Sequence, residues 1–177
     1  MNKLEKVREI VKKEGDKEVW KYHMLPVVEY SKLLAKNLNA NKEITELSAL
    51  LHDIGKLKFG GENHGITGQK EAEKILRKLN YPQKVIEEVK HCVESHGGNK
   101  GIKPKTKIAR IISNADAMAH FDNVFFIFYW RCKKEGFEDA LKWLQEKIER
   151  EWNKKLIIPY ARKLMQQKYK AINLLFP

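Results

Sequence analysis

The stretch that most constrains this chain is Leu50-Leu51-His52-Asp53-Ile54-Gly55-Lys56. Two apolar residues run into an imidazole and a carboxylate, and a glycine and a lysine follow. Burying an ionised carboxylate against a core costs roughly several kcal/mol unless a cation compensates it, and a metal ion is a common compensator. One reading makes His52 and Asp53 neighbouring metal ligands and aims Lys56 at an anionic substrate. The alternative is a helix C-terminus in which His52 and Lys56 favour the dipole and Gly55 follows the last turn. That alternative accounts for His52, Gly55 and Lys56 but leaves Asp53 at the wrong end of the dipole. Asp53 decides for the ligand reading.

A chain of 177 residues with 42% hydrophobic content is long enough for one domain with a real core and too short to demand two. A single domain over residues 1–177 is therefore expected. The net charge of +12 invites a nucleic-acid partner. The lysines, however, are spread through helical patterns and mixed with glutamates, as at Lys32/Lys36 and Lys74/Lys78, and no dense basic arm or binding module stands out. The composition disfavours nucleic acid and favours a solvated surface that suits phosphate-bearing substrates. Cys92 and Cys132 lack metal-type spacing and read as small buried hydrophobes or free thiols of a reducing compartment. No signal-peptide pattern opens the chain, and the apolar run Val124 to Trp130 is too short to span a bilayer. A cytoplasmic protein without membrane contact is the expectation.

Along the chain, helical periodicity dominates. Residues 3–14 carry Leu4, Val7, Ile10 and Val11 on one face, and Asp16 can cap the next helix. That helix runs from Val19 to Leu38 with Pro26 inside it, and its apolar stripe includes His23, so this imidazole faces inward. A helix from Glu43 to Ile54 is apolar nearly all round toward its end, as expected in the middle of a bundle. Adjacent helical residues point about 100° apart, so His52 and Asp53 could share an ion only from a helix end, which Gly55 would supply. Phe59 to Gly65, with Glu62 and His64, reads as a flexible loop, followed by a helix from Ile66 to Leu79.

Pro82 opens another helix through Ser95, closed by Gly97-Gly98. Val85, Val89, Val93 and His96 share one of its faces, whereas His91 lies about 160° around from Val89. After a polar loop from Asn99 to Thr106, a helix from Lys107 to Ala119 carries Asp116 among apolar residues, where a metal or a buried cation must accompany it. Asn114 and His120 read as ordinary hydrogen-bonded residues that could line the same place. The aromatics of Phe121 to Trp130 read as core at helical spacing. A last helical region, Phe137 to Leu175, should end or kink at Pro159.

The His52-Asp53 doublet, His23 before it, His64, His91 and His96 after it, and Ala115-Asp116-Ala117 together resemble the HD-domain superfamily of metal-dependent phosphohydrolases. The resemblance covers about residues 20–120, and residues 121–177 fall outside it as an extension that could cap the bundle or build a homodimer. It implies an all-α, single-domain helical bundle with the metal site between central helices. It implies that His23, His52, Asp53 and Asp116 hold one divalent ion, and that His64 and His96, with Asp53 bridging, could hold a second. The segment His64-Gly65-Ile66-Thr67-Gly68 is similar to a His-x-x-x-Gly segment of two-metal members. His96 rather than His91 matches the second-site ligand, which leaves His91 as a supporting or surface residue. Nitrogen and oxygen donors suit Mn, Fe, Co, Ni or Zn. The implied chemistry is hydrolysis of a phosphate monoester or diester, a nucleotide foremost, by a metal-activated water, with Asp53 and Lys56 in the catalytic machinery. Two other classes stand beside it: a two-iron oxygenase on the same fold that cleaves a C–P or C–C bond, and a basic nucleic-acid-binding module without catalysis.

Overall fold

The computed structural model describes residues 1–61, 63–97 and 102–176, and among these it contains helices and no strand. The expectations for Glu62, and for Gly98 and the Asn99–Gly101 start of the polar loop, lie outside the described residues. No helix among them is long and apolar enough to cross a membrane.

Four of the helices begin where a short polar side chain satisfies an orphan N–H group of the first turn. Helix α1 (Lys3–Glu14) starts at a capping box in which Asn2 and Glu5 bond each other's backbone N–H. Asp16 caps α2 (Lys17–Val19), accepting from Val19 N at 2.7 Å. A π turn over Trp20–Met24 then leads into α3 (Leu25–Asn37). The expected single helix from Val19 to Leu38 is therefore interrupted. Pro26 has no N–H to give the α-helical ladder, and the wider turn just before it, closed by Leu25 N on Trp20 O, carries His23 buried at its inner side.

Asn41 caps α4 (Lys42–Leu51), accepting from Ile44 N at 3.0 Å. This helix ends at Leu51, three residues short of the expected end at Ile54. His52 and Asp53 form the turn, and a short helix α5 (Ile54–Phe59) restarts immediately. Gly55 has another purpose: a Cβ there would meet Gly68 N at 2.5 Å and Thr67 Oγ1 at 2.7 Å. Its bare backbone lets α6 (His64–Lys78) press directly on α5. Helices α7 (Gln83–Ser95) and α8 (Lys107–Asp122) follow, the latter capped by Thr106 on Ala109 N at 3.1 Å.

Helix α8 is the axis of the molecule. Every residue from Ile111 to Phe121 is buried, and α3, α4, α7 and the C-terminal helices pack around it. The aromatic stretch behaves differently from expectation. In α9 (Val124–Glu135) only Val124 is buried, while Phe125, Tyr129 and Trp130 are exposed. Phe121 does join the core, but as the last turn of α8. Gly136, at φ +84°, separates α9 from α10 (Phe137–Lys154), and Pro159 opens α11 (Pro159–Asn173) after a short connection, as the proline requires.

Candidate metal centre

Six side chains singled out in the sequence meet at one place, drawn from the π turn, the α4–α5 turn, the start of α6, the end of α7 and the middle of α8. His23, His52, Asp53, His96 and Asp116 are buried, and His64 is half-buried at the rim. His23 Nε2 lies 3.1 Å from His52 Nε2, 3.3 Å from Asp53 Oδ2 and 3.7 Å from Asp116 Oδ1. The other oxygen of Asp53 faces a different pair: Oδ1 is 3.3 Å from His96 Nε2 and 3.9 Å from His64 Nε2. Asp53 thus stands between two imidazole groups, one toward each carboxylate oxygen. The α4–α5 turn makes this possible, because a continuous helix would have turned His52 and Asp53 apart.

The imidazoles are oriented by their back sides. His52 Nδ1 donates to Ala49 O at 2.8 Å, His64 Nδ1 to Gly61 O at 2.9 Å, and His96 Nδ1 to Val93 O at 2.7 Å. A carbonyl can only accept, so each ring carries its proton on Nδ1 and turns the lone pair of Nε2 toward the aspartates. This is how metal-binding histidines are prepared. His91 is arranged otherwise: Nδ1 faces Glu94 at 3.2 Å and Nε2 accepts from Lys105 N at 3.0 Å, away from the cluster.

Lys147, Glu151 and Lys155 were not assigned to the site from sequence, and His120 was read there only as a residue that could line it. His120, one turn beyond Asp116 on α8, places Nε2 3.6 Å from Asp116 Oδ1 and donates Nδ1–H to the buried Glu151 at 3.0 Å. Lys155 donates to Asp116 Oδ2 at 2.5 Å, and Lys147 to Glu151 at 2.6 Å. The signal was faint but present. Lys147 and Glu151 on α10, and Lys155 just past its end, recur at four-residue steps beside the buried Ala140, Leu144 and Ile148. Asn114 is structural: it accepts from Ile158 N at 3.0 Å and donates to Arg110 O at 2.8 Å.

Burial and charge work against each other here. Burial pushes His52 down to about 3 and His120 down to about 4, so both rings are neutral. Burial raises Asp53, but Lys56, His52, His23 and His96 outweigh it and hold the carboxyl well below its usual range. Asp116 follows the same pattern, with burial opposed by Lys155 and the neighbouring imidazoles. Lys56 Nζ sits 3.3 Å from Asp53 Oδ2 although its side chain is half exposed, and that carboxylate raises its pKa against the pull of burial.

Among the described residues, three donor sets are compact enough to hold a cation: His23–His52–Asp53, His23–Asp116–His120 and Asp53–His64–His96. Bare Nε2 lone pairs beside buried, ionised carboxylates fit a divalent transition metal. A small cleft lined by Asn63, His64, Gly65, Ile66, Glu94 and His96 leads to the third set.

An uncharacterized protein of Methanocaldococcus jannaschii is 29% identical over 140 residues, 71% of this chain and 75% of that protein. The fold is similar to that of Bacillus subtilis YpgQ, solved in complex with ADP, with a TM-score of 0.76 and 16% identity over 97% of this chain and 90% of that one. A predicted HD superfamily hydrolase from an uncultured Thermotogales bacterium gives a TM-score of 0.60 at 17% identity, covering 92% of this chain and 91% of that one. The profile of the HD domain matches residues 20–120, which contain all six side chains and more than half of the chain. The chain belongs to the HD domain family.

Proposed function

We propose that this protein is a metal-dependent phosphohydrolase acting on a nucleotide or a related phosphate ester. The observation that carries the reading is Asp53, whose two oxygens face separate pairs of imidazoles while Lys56 covers it from the open side. In this reading His23, His52, Asp53 and Asp116 hold one ion, and His64 and His96 share Asp53 with a second. Mn, Fe, Co, Ni and Zn all suit such nitrogen and oxygen donors. A bound ion would supply an acidified water and a Lewis acid for a phosphoryl oxygen.

The chain's own residues do the rest. The carbonyls of Ala49, Gly61 and Val93 hold the ligand rings in one tautomer. Lys56, half exposed beside Asp53, neutralises charge that grows on phosphoryl oxygens. Charge balance supports an anionic substrate. The buried carboxylates of Asp53, Asp116 and Glu151 are matched by the ammonium groups of Lys56, Lys147 and Lys155, so a divalent ion leaves the centre positive until an anion enters. The ADP held by Bacillus subtilis YpgQ supports a nucleotide.

The test is elemental analysis of the purified protein, followed by phosphate release from a panel of nucleoside mono-, di- and triphosphates under argon with the metal found. Wild type should release phosphate or pyrophosphate, and Asp53→Ala should lose both metal and activity. Full activity in Asp53→Ala would refute the site. Oxygen uptake with a C–P or C–C substrate, and none of the nucleotides cleaved, would move the protein to the oxygenase class.

A further inference from the structure

Residues 121–177 lie beyond the matched family segment, yet they reach into the centre. The connection between α10 and α11 is built around one side chain. Leu156 and Ile158 are buried, Ile158 N is tied to Asn114 on α8, and Arg162 donates to Trp152 O at 2.7 Å. The Arg162 guanidinium also lies over the Trp152 ring at 4.2 Å, and that ring stacks on Tyr169. This frame sets the buried ammonium of Lys155 2.5 Å from Asp116 Oδ2, leaving Oδ1 for His23, His52 and His120. Glu151, one turn earlier, lies 3.8 Å from the same ammonium.

We propose that Lys155 is the positioning and charge-setting residue of the centre: it fixes the outer oxygen of Asp116, weakens the hold on a divalent ion and strengthens the hold on a phosphoryl anion. The inference rests on the phosphohydrolase reading above. A positive charge a few ångströms from a dication repels it, and the same charge attracts a phosphate. In a buried setting neither interaction is screened as it is at the surface. Lys56 cannot do this as strongly, because half of its side chain is in solvent. The loop that carries Lys155 is thus part of the site.

The test uses the full chain. Lys155→Gln keeps a hydrogen-bond donor for Asp116 and removes the charge, whereas Lys155→Arg keeps the charge. Mn²⁺ affinity is read by competition with a fluorescent chelator, and orthophosphate affinity by titration of the Mn²⁺-loaded protein. Lys155→Gln should bind Mn²⁺ about tenfold more tightly and orthophosphate about tenfold more weakly, with Lys155→Arg within about threefold of wild type on both. Glu151→Gln removes an anion and should move both affinities the other way, a sign check that stands even if Lys155→Gln does not fold. A packing role would weaken both ligands together; that result, or no change, overturns the inference. If wild type binds no orthophosphate, the phosphohydrolase reading fails, and the Mn²⁺ arm alone still decides whether Lys155 sets the charge.

Discussion

Asp53 and Asp116 are both buried at 4% exposure, and each has an ammonium on one oxygen, but their surroundings were assembled in different ways. Asp53 takes its lysine from the next turn of its own segment, and that lysine is 53% exposed. Asp116 takes its lysine from 39 residues downstream, and that one is 9% exposed. The lysine of the first half is therefore local and open to solvent, and that of the second is long-range and closed. A pair that shares water with the bulk is screened and adjustable. A pair sealed in the core must keep both members, because either one alone is an uncompensated buried charge.

The sharpest way to break this comparison is Asp116→Asn. It strands Lys155 in the core and should cost about 3–5 kcal/mol in urea unfolding, most of it recovered in Asp116→Asn/Lys155→Met. A single-variant cost no greater than that of a surface pair would erase the distinction between the halves. Gly55→Ala tests the local half. The new methyl group has no room against Gly68 and Thr67, so α6 must move off α5 at a cost of about 2 kcal/mol. His64 moves with it, and the bound-metal count should fall while the Asp116 side keeps its ion.

The pH dependence of the metal-free protein sharpens both halves together. His52 belongs to the first half and His120 to the second, with values pushed down by burial to about 3 and about 4. The unfolded chain takes up a proton on each near pH ~6.5, and the folded chain does not, so this stability is complete above pH ~6.5 and is lost as pH falls. Between pH ~6.5 and ~4 the loss should approach about 1.4 kcal/mol per pH unit for each ring. Urea unfolding at a series of pH values, with chelator present, should show that slope, and His120→Gln should halve it. The smallest effect belongs to Lys56→Gln, which should cost at most about 1 kcal/mol because its partner Asp53 is also served by His23 and His96. Its consequence should appear in turnover instead, and unchanged turnover would remove Lys56 from the reaction.

Much of the fold could be read in advance because its signals are local. Asp16 was legible as a cap because its side chain sits three residues from the N–H it satisfies, and Asn2, Asn41 and Thr106 cap by the same local geometry. His96 could be told from His91 by counting around one helix. The early stop of α4 escaped, since it depends on how His52 and Asp53 settle against neighbouring helices, and the π turn escaped because Pro26 marks a break in the ladder without saying which wider turn precedes it. The aromatic residues of α9 escaped for the opposite reason: apolar character says that a side chain would gain from burial, not that anything will cover it.

By itself the sequence determined the kind of centre this protein has. The His-Asp doublet, the spacing of the other histidines and a lone aspartate among alanines are covalent facts, and no fold that buries them can leave them without a cation. Only the tertiary structure decided which cation sits on Asp116, because Lys155 and its supporting residues come from the junction of α10 and α11, whose place against α8 is set by packing across the whole molecule. Spacing along the chain carries information within a few turns. Beyond that range, which charges meet is decided by the shared burial of distant apolar faces.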